Sequence, residues 1–351
     1  MGEAARFTKL QKRNPNFVKS INKKELQSIV SRAFQKTSLI KDFVEIESGR
    51  FNTTYKLDVD NLDTSILRIA PSPSLEIYIH EHYLLKRELS VYDFLSLISE
   101  YVPKVKFADF TKEIIDRDYM ILSFIDGQIW DSMQIKLFQQ QNIDLWRQLI
   151  RISEKINQIE NEEFGFPEPY KRATSWKLVL VNILDKMIQD LHKYSLETYG
   201  PKELLKLINK DNYYLNGISK AKLIHGDLWP KNVLIKNDIN SIRIVGIIDW
   251  ERAFWGDPRA EWIMLGTRFA KQKANTNMMF RCGLFSADYN EIPIIIGKKY
   301  ICKNIGELFR EQVYLGIYLT QRRLESQRYP RNESWIEEEF RSVIINLKKI
   351  I

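Results

Sequence analysis

An α+β chain of two unequal lobes, a small antiparallel sheet followed by a larger and mainly helical part, is predicted by three features of this 351-residue sequence. Short β-type runs joined by turn segments fill the first third. Long 3.6-residue periodicities fill most of the remainder. The composition is that of an ordinary globular protein, 44% apolar and 28% charged, which excludes disordered, collagen-like and disulfide-stapled classes. No apolar run nears the ~18–20 residues needed to span a bilayer. The charged stretch from Arg6 to Lys24 does not read as a signal peptide. Two cysteines, Cys282 and Cys302, form no CxxC pair, so a reduced cytoplasm is the expected location.

The net charge of +8 is not spread over the chain. Residues 1–41 hold ten Lys/Arg and two acids, which accounts for the whole excess and leaves the body formally neutral. No zinc-finger spacing or RNA-reading aromatic signature accompanies this basic arm, so nucleic acid is not an expected partner. Residues 1–20 are read as the arm, and residues 1–18 are expected to be dispensable for chemistry.

Residues 21–34 carry apolar side chains at 26, 29, 30, 33 and 34, a helical stripe. Strands follow at 43–47, 53–59 and 64–70, joined by turns at 48–52 and 60–63. A long helix is predicted over 76–98, then two strands at 105–110 and 119–125. After Asp126-Gly127 the pattern turns helical, at 137–159, 176–192, 306–326 and 335–350. It is interrupted by β-like runs at 222–225, 233–236 and 242–248. The first lobe is therefore placed at 21–125 and the second at 126–351. Ser334 with Glu337 three residues on reads as a capping box for the last helix.

The chemistry concentrates in His225-Gly226-Asp227-Leu228-Trp229-Pro230-Lys231-Asn232, followed by Ile247-Ile248-Asp249-Trp250-Glu251. An acid, an Asn five residues later, a hairpin, and a second acid closing an apolar strand suit phosphoryl transfer. The first acid, Asp227, can reach an acceptor hydroxyl. Asn232 and Asp249 supply hard oxygen ligands for magnesium, which bridges nucleotide phosphates.

With these residues the sequence resembles the aminoglycoside phosphotransferase and choline kinase-like family, a branch of the protein-kinase-like fold. The family pattern H-G-D, four residues, then N is matched by His225, Gly226, Asp227 and Asn232. Its metal acid is matched by Asp249 with Glu251 behind it, and its G-D-P segment by Gly256-Asp257-Pro258. Glu261 stands where many members carry Asp. The resemblance implies that His225 braces the catalytic loop. It also implies a phosphate-covering turn at residues 48–55, with Gly49 and Asn52, and a nucleotide-clamping cation at Arg68. A carboxylate on the following helix should fix that cation. Glu88 is the preferred partner, and Glu81, seven residues earlier, is the rival. Ser123, Phe124 and Ile125 resemble the hinge that holds a purine through backbone groups.

The resemblance, covering roughly residues 22–345, implies a small-molecule kinase that uses Mg2+ and ATP or GTP, with a hydroxyl-bearing acceptor. An aminoglycoside-type antibiotic leads among the acceptors. A metabolite kinase of the same fold (choline, ethanolamine, amino-sugar, homoserine or methylthioribose type) and a catalytically silent binding module are the alternatives. Gly226 in place of the arginine of H-R-D, with no D-F-G or A-P-E, disfavours a protein kinase. Trp229, Glu251, Asp257 and Glu261 are substrate candidates. A polycationic acceptor would require an acidic cleft wall, drawn from these acids and from Glu160, Glu162, Glu163 and Glu337–Glu339. Monomer and dimer are both left open.

Overall fold

Residues 17–46, 51–133, 136–211, 213–238, 241–262, 304–328 and 335–351 are described by the computed structural model. Gly49, Cys282, Cys302, Ser334 and arm residues 1–16 lie outside them. Helix α1 (Lys23–Ala33) starts at a capping box, with Asn22 Oδ1 accepting from Glu25 N–H and Glu25 returning to Asn22 N–H. The strands that follow are β1 (Ile40–Glu45), β2 (Thr53–Val59), β3 (Ser65–Ile69), β4 (Val105–Asp109) and β5 (Tyr119–Ser123). They form one antiparallel sheet in the order β1-β2-β3-β5-β4.

Strand alternation gives the two sheet faces different tasks. Tyr55, Leu57, Val59, Leu67, Ile69, Tyr119 and Ile121 are buried with Leu26, Ile29 and Val30 of α1. Met120 and Leu122 face the other way and pack with Leu85, on helix α2 (Leu84–Tyr92). Arg68 lies between Leu67 and Ile69 in β3, so period-2 geometry turns it toward α2.

The long helix expected over 76–98 is broken into three pieces. A 3-10 turn at Ile79–Glu81 precedes α2, and a second one, Leu95–Tyr101, follows it. The first break falls at Tyr83, whose backbone is left-handed with φ 60°. Tertiary partners outweigh local periodicity here. Ile79 N–H donates to Asp190 Oδ2 at 2.8 Å, and Glu81 pairs with Arg328 at 2.6 Å. Glu81 and Glu88 therefore do not share a helical face.

The second lobe begins with β6 (Gln128–Ile129), α3 (Trp130–Met133) and α4 (Gln139–Ile156). It continues through β7 (Glu160–Asn161), α5 (Trp176–Lys193), α6 (Tyr199–Lys210), β8 (Ala221–Ile224), β9 (Val233–Asp238), β10 (Ser241–Ile247) and β11 (Phe254–Gly256). Two long helices close the described chain, α7 (Ile305–Arg328) and α8 (Trp335–Ile350). Two three-stranded sheets, β10-β9-β6 and β11-β8-β7, flank the loop between β8 and β9. The main core is built from α4–α8 and these strands, with Trp130, Trp146, Trp176, Trp250 and Trp255 all within it. Among the described residues no helix is long and apolar enough to cross a membrane.

The arm does not stay clear of the fold up to residue 18. Phe17 is 3% exposed and packs against Phe51, so a cut after residue 18 removes a buried aromatic. Glu337 pairs with Arg323, which gives its carboxylate a tertiary partner in addition to any capping role.

His80, in the first 3-10 turn, stacks on Tyr78 with ring centroids 5.8 Å apart. Burial lowers its pKa to about 3, and Arg252, Arg87 and Arg328 add to this against the opposing pull of Glu325. The unfolded chain therefore binds a proton here below about pH 6.5 that the folded chain refuses. Stability is present above that pH and is lost as pH falls, by about 3 kcal/mol at pH 4. His80→Phe keeps a ring on Tyr78 and removes the titration. Thermal unfolding of this variant should decline less than wild type between pH 6.5 and 4, and parallel declines would remove His80 as the source.

Candidate active site

Arg68 is the junction of the site. Its Nη1 contacts both oxygens of Glu88 at 2.5 Å, and its Nη2 reaches Asp249 Oδ1 at 2.6 Å and Glu251 Oε2 at 2.9 Å. Glu88, in the middle of α2, is fully buried and also accepts from the Tyr92 hydroxyl at 3.2 Å. Of the two acids the sequence offers, Glu88 is the one that meets Arg68. Glu81 is turned to Arg328.

Three carboxylates thus surround one cation. Burial opposes the charge of Arg68, but Glu88, Asp249 and Glu251 outweigh it and hold the guanidinium protonated. Burial pushes Glu251 up to about 8, with repulsion from Asp249 added, and pushes Glu88 up to about 7 against the pull of Arg68. Asn52 joins the cluster by donating to Glu251 Oε2 at 2.6 Å. That bond ties the start of β2 to the loop after β10, 199 residues away.

The loop between β8 and β9 is braced from inside the second lobe. Glu261 accepts from His225 N–H at 2.7 Å and Gly226 N–H at 3.0 Å. Burial pushes its pKa up to about 7 against these backbone donors. The His225 ring accepts from Asp227 N–H through Nδ1 at 3.3 Å, which leaves the proton on Nε2 for Ile248 O at 3.0 Å. Burial lowers His225 to about 4, so this neutral tautomer persists at neutral pH. Asn232 Nδ2 donates to Asp227 O at 2.8 Å and to Asp227 Oδ2 at 3.0 Å. Asn232 O in turn accepts from Ile248 N–H at 3.0 Å. Both loops are therefore stitched through Ile248, and Asp249 follows in a left-handed conformation with φ 70°.

The donor chemistry fits a hard cation. Asn232 spends its amide nitrogen on Asp227, so its carbonyl oxygen is the donor it has to offer beside the Asp249 carboxylate. Glu88, Asp249 and Glu251 also lie close enough to hold an ion together, but the Arg68 guanidinium contacts all three. That acidic trio is therefore read as a cage for Arg68.

The remaining sequence candidates fall differently. At the hinge, Ser123 N–H donates to Lys104 O at 2.8 Å and Phe124 N–H to Thr64 O at 3.2 Å, so these two backbone donors are engaged within the first lobe. Ile125 lies against Gly246, where an added Cβ would meet its Cδ1 at 3.1 Å. Trp229 is half-buried, with the Lys231 ammonium 4.9 Å from its ring centroid.

Glu251, Asp257 and Glu261 do not line an open wall; each is buried and turned to internal partners. Asp257 holds Arg310 at 3.0 Å and the Tyr314 hydroxyl at 2.8 Å. Glu160 pairs with Lys220 and Lys222, Glu163 with Arg172, and Glu337 with Arg323. Of the acids expected for a cleft wall, Glu160, Glu163, Asp257 and Glu337 thus meet cations of the same lobe, Glu251 meets Arg68 of the first lobe, and Glu261 meets backbone N–H groups. The bracing role of Glu261 and the Asn52–Glu251 bond were not readable from local spacing, because each joins distant segments.

The profile of the phosphotransferase enzyme family matches residues 42–281, more than half of the chain, and the protein belongs to that family. A 107-residue stretch is 30% identical to the uncharacterised protein YcbJ of Bacillus subtilis (strain 168), spanning 30% of this chain and 30% of that protein's length. Among solved structures, a thermostable mutant of aminoglycoside phosphotransferase APH(4)-Ia in complex with ADP and hygromycin B aligns with a TM-score of 0.62 at 14% identity. That alignment covers 92% of this chain and 98% of that one. APH(2")-IIIa with GDP and kanamycin aligns with a TM-score of 0.54 at 17% identity, covering 92% and 98%. The fold is kinase-like.

Two substitutions test the geometry. Gly226 has φ +76°, and an added Cβ would lie 2.3 Å from Arg252 O. Gly226→Ala should displace the loop between β8 and β9 and lower thermal stability and turnover together; wild-type values in both would refute the close approach. Arg68→Ala leaves buried acids unpaired and should cost about 3–5 kcal/mol in denaturant unfolding. Arg68→Lys, which keeps the charge but not the fork, should cost less, and equal losses would argue against a role for charge.

Proposed function

We propose that this protein is a small-molecule kinase that transfers the γ-phosphate of ATP or GTP to a hydroxyl of an aminoglycoside-type antibiotic. The observation that carries the kinase chemistry is the convergence of the Arg68–Glu88 pair on Asp249, with Asn232 bonded to Asp227 alongside. In this reading Arg68 clamps the donor phosphates, and Asn232 and Asp249 would hold magnesium, which would supply neutralisation of the donor's phosphate charge. Asp227 orients the acceptor hydroxyl and receives its proton as the new O–P bond forms and the bond to the nucleoside diphosphate breaks. Asn232 keeps the Asp227 carboxylate aimed, and Glu261 with His225 keeps its backbone still. The antibiotic acceptor is supported by similarity to structures bound to hygromycin B and to kanamycin.

Asp227→Asn should leave nucleotide binding largely intact and lower turnover by ~100-fold or more. Asp249→Ala should weaken magnesium-dependent nucleotide binding. Purified protein with ATP or GTP, magnesium and a panel of hydroxylated antibiotics should release nucleoside diphosphate with at least one aminoglycoside. Expression in a susceptible bacterium should raise tolerance to the same compound, and Asp227→Asn should erase the gain. Full activity in Asp227→Asn would remove that residue from the mechanism. Phosphorylation of a metabolite with no protection against any antibiotic would reassign the acceptor.

A further inference from the structure

The segment just before α1 is laced to the start of β2 at every second residue. Phe17 lies against Phe51 with ring centroids 5.5 Å apart. Lys19 O accepts from the Thr53 hydroxyl at 3.2 Å, and Ile21 N–H donates to the Tyr55 hydroxyl at 3.0 Å. Each pair is 34 residues apart, so residues 17–21 run parallel to β2 in constant register. The same segment touches the end of β1, where the Ser20 hydroxyl donates to Glu45 Oε2 at 2.7 Å. Arg117 Nη1 donates to Lys19 O at 2.7 Å and fixes that carbonyl from a third side. Residues 17–21 therefore hold Glu45 of β1 on one side, and Phe51, Thr53 and Tyr55 at the start of β2 on the other.

Phe17 also reaches the second lobe. The Arg328 guanidinium, at the end of α7, lies 4.8 Å from the Phe17 ring centroid and 3.6 Å from that of Tyr78. Arg328 is itself held by Glu81 at 2.6 Å. The Phe17 ring, 3% exposed, thus links Phe51 to a cation anchored in the second lobe. Asn52, the next residue, is tied to Glu251 beside the Arg68 cluster. Phe51 and Asn52 are held from two independent directions, one through the arm and one through the proposed metal loop.

We propose that residues 17–21 form a positioning strap, anchored by Phe17, that sets Phe51 and Asn52 over the phosphate end of the nucleotide cleft. The strap touches no reacting atom and acts through the backbone it holds. Its nucleotide role rests on the kinase reading of the cleft; its mechanical role rests on the contacts alone.

The test uses the full chain with Phe17→Ala and Phe17→Leu. Hydrogen exchange is read first, without nucleotide. Amides of residues 51–55 should exchange faster in Phe17→Ala, those of β3 and β5 should be unchanged, and Phe17→Leu should fall between. Binding of a fluorescent N-methylanthraniloyl-ATP with magnesium should weaken about 3- to 10-fold, the scale of one aromatic contact. In turnover the nucleotide KM should rise while kcat and the acceptor KM hold. Unchanged exchange at 51–55, or a uniform rise across the first lobe with kcat falling and the nucleotide KM constant, overturns the strap. Faster exchange with wild-type nucleotide affinity overturns its role at the phosphates. Wild-type protein that binds no nucleotide overturns the kinase reading, and the exchange pattern still decides the mechanical role.

Discussion

A single guanidinium draws three carboxylates from two distant places in the chain into one cluster. Arg68 comes from the central strand of the first lobe, Glu88 from the helix behind it, and Asp249 and Glu251 from the second lobe. Removing such groups from water is expensive, and the cost is offset only when every partner is in place. The cluster therefore demands that α2 be oriented and that the two lobes meet at a fixed distance. The broken helix before α2 serves that demand. With Glu81 engaged by Arg328 and Tyr83 in a left-handed conformation, α2 takes a direction that a continuous helix would not allow.

Around that cluster the structure spends its polar groups on backbone. Glu261 and Asn232 both hold main-chain atoms of the loop between β8 and β9, and the neutral His225 ring joins that loop to Ile248. Phosphoryl transfer asks little covalent chemistry of a protein and much positioning. In the proposed reaction a carboxylate held by an amide, on a loop fixed by buried acceptors, would answer that need. Raised pKa values at Glu88, Glu251 and Glu261 share one cause, which is burial of acids whose partners are too few or only partly charged.

Elements with strong periodicity and local turns were legible from the chain. Strand β2 and helix α8 fall where alternation and apolar spacing put them. Helix α6 carries Gly200 and Pro201 in its first turn, residues that read as punctuation although proline is tolerated at that position. Strands β6, β7 and β11 are two or three residues long and exist only because a neighbouring strand lies beside them. The acids at 160, 163, 251, 257 and 261 looked alike in sequence, and each found a different internal partner.

The chain alone points to the side chains proposed to carry the chemistry. Asp227, Asn232 and Asp249 are recognisable because their spacing spans one loop and one hairpin, a distance over which backbone geometry is nearly local. It also determined the family, through the same motif. Tertiary structure alone decided that Arg68 pairs with Glu88 and not Glu81, that Glu261 serves the loop, and that Phe17 belongs to the fold and not to a free arm. The physical reason is that electrostatic pairing and burial depend on distances in space. Between residues tens to two hundred positions apart, those distances are set only when both lobes have packed.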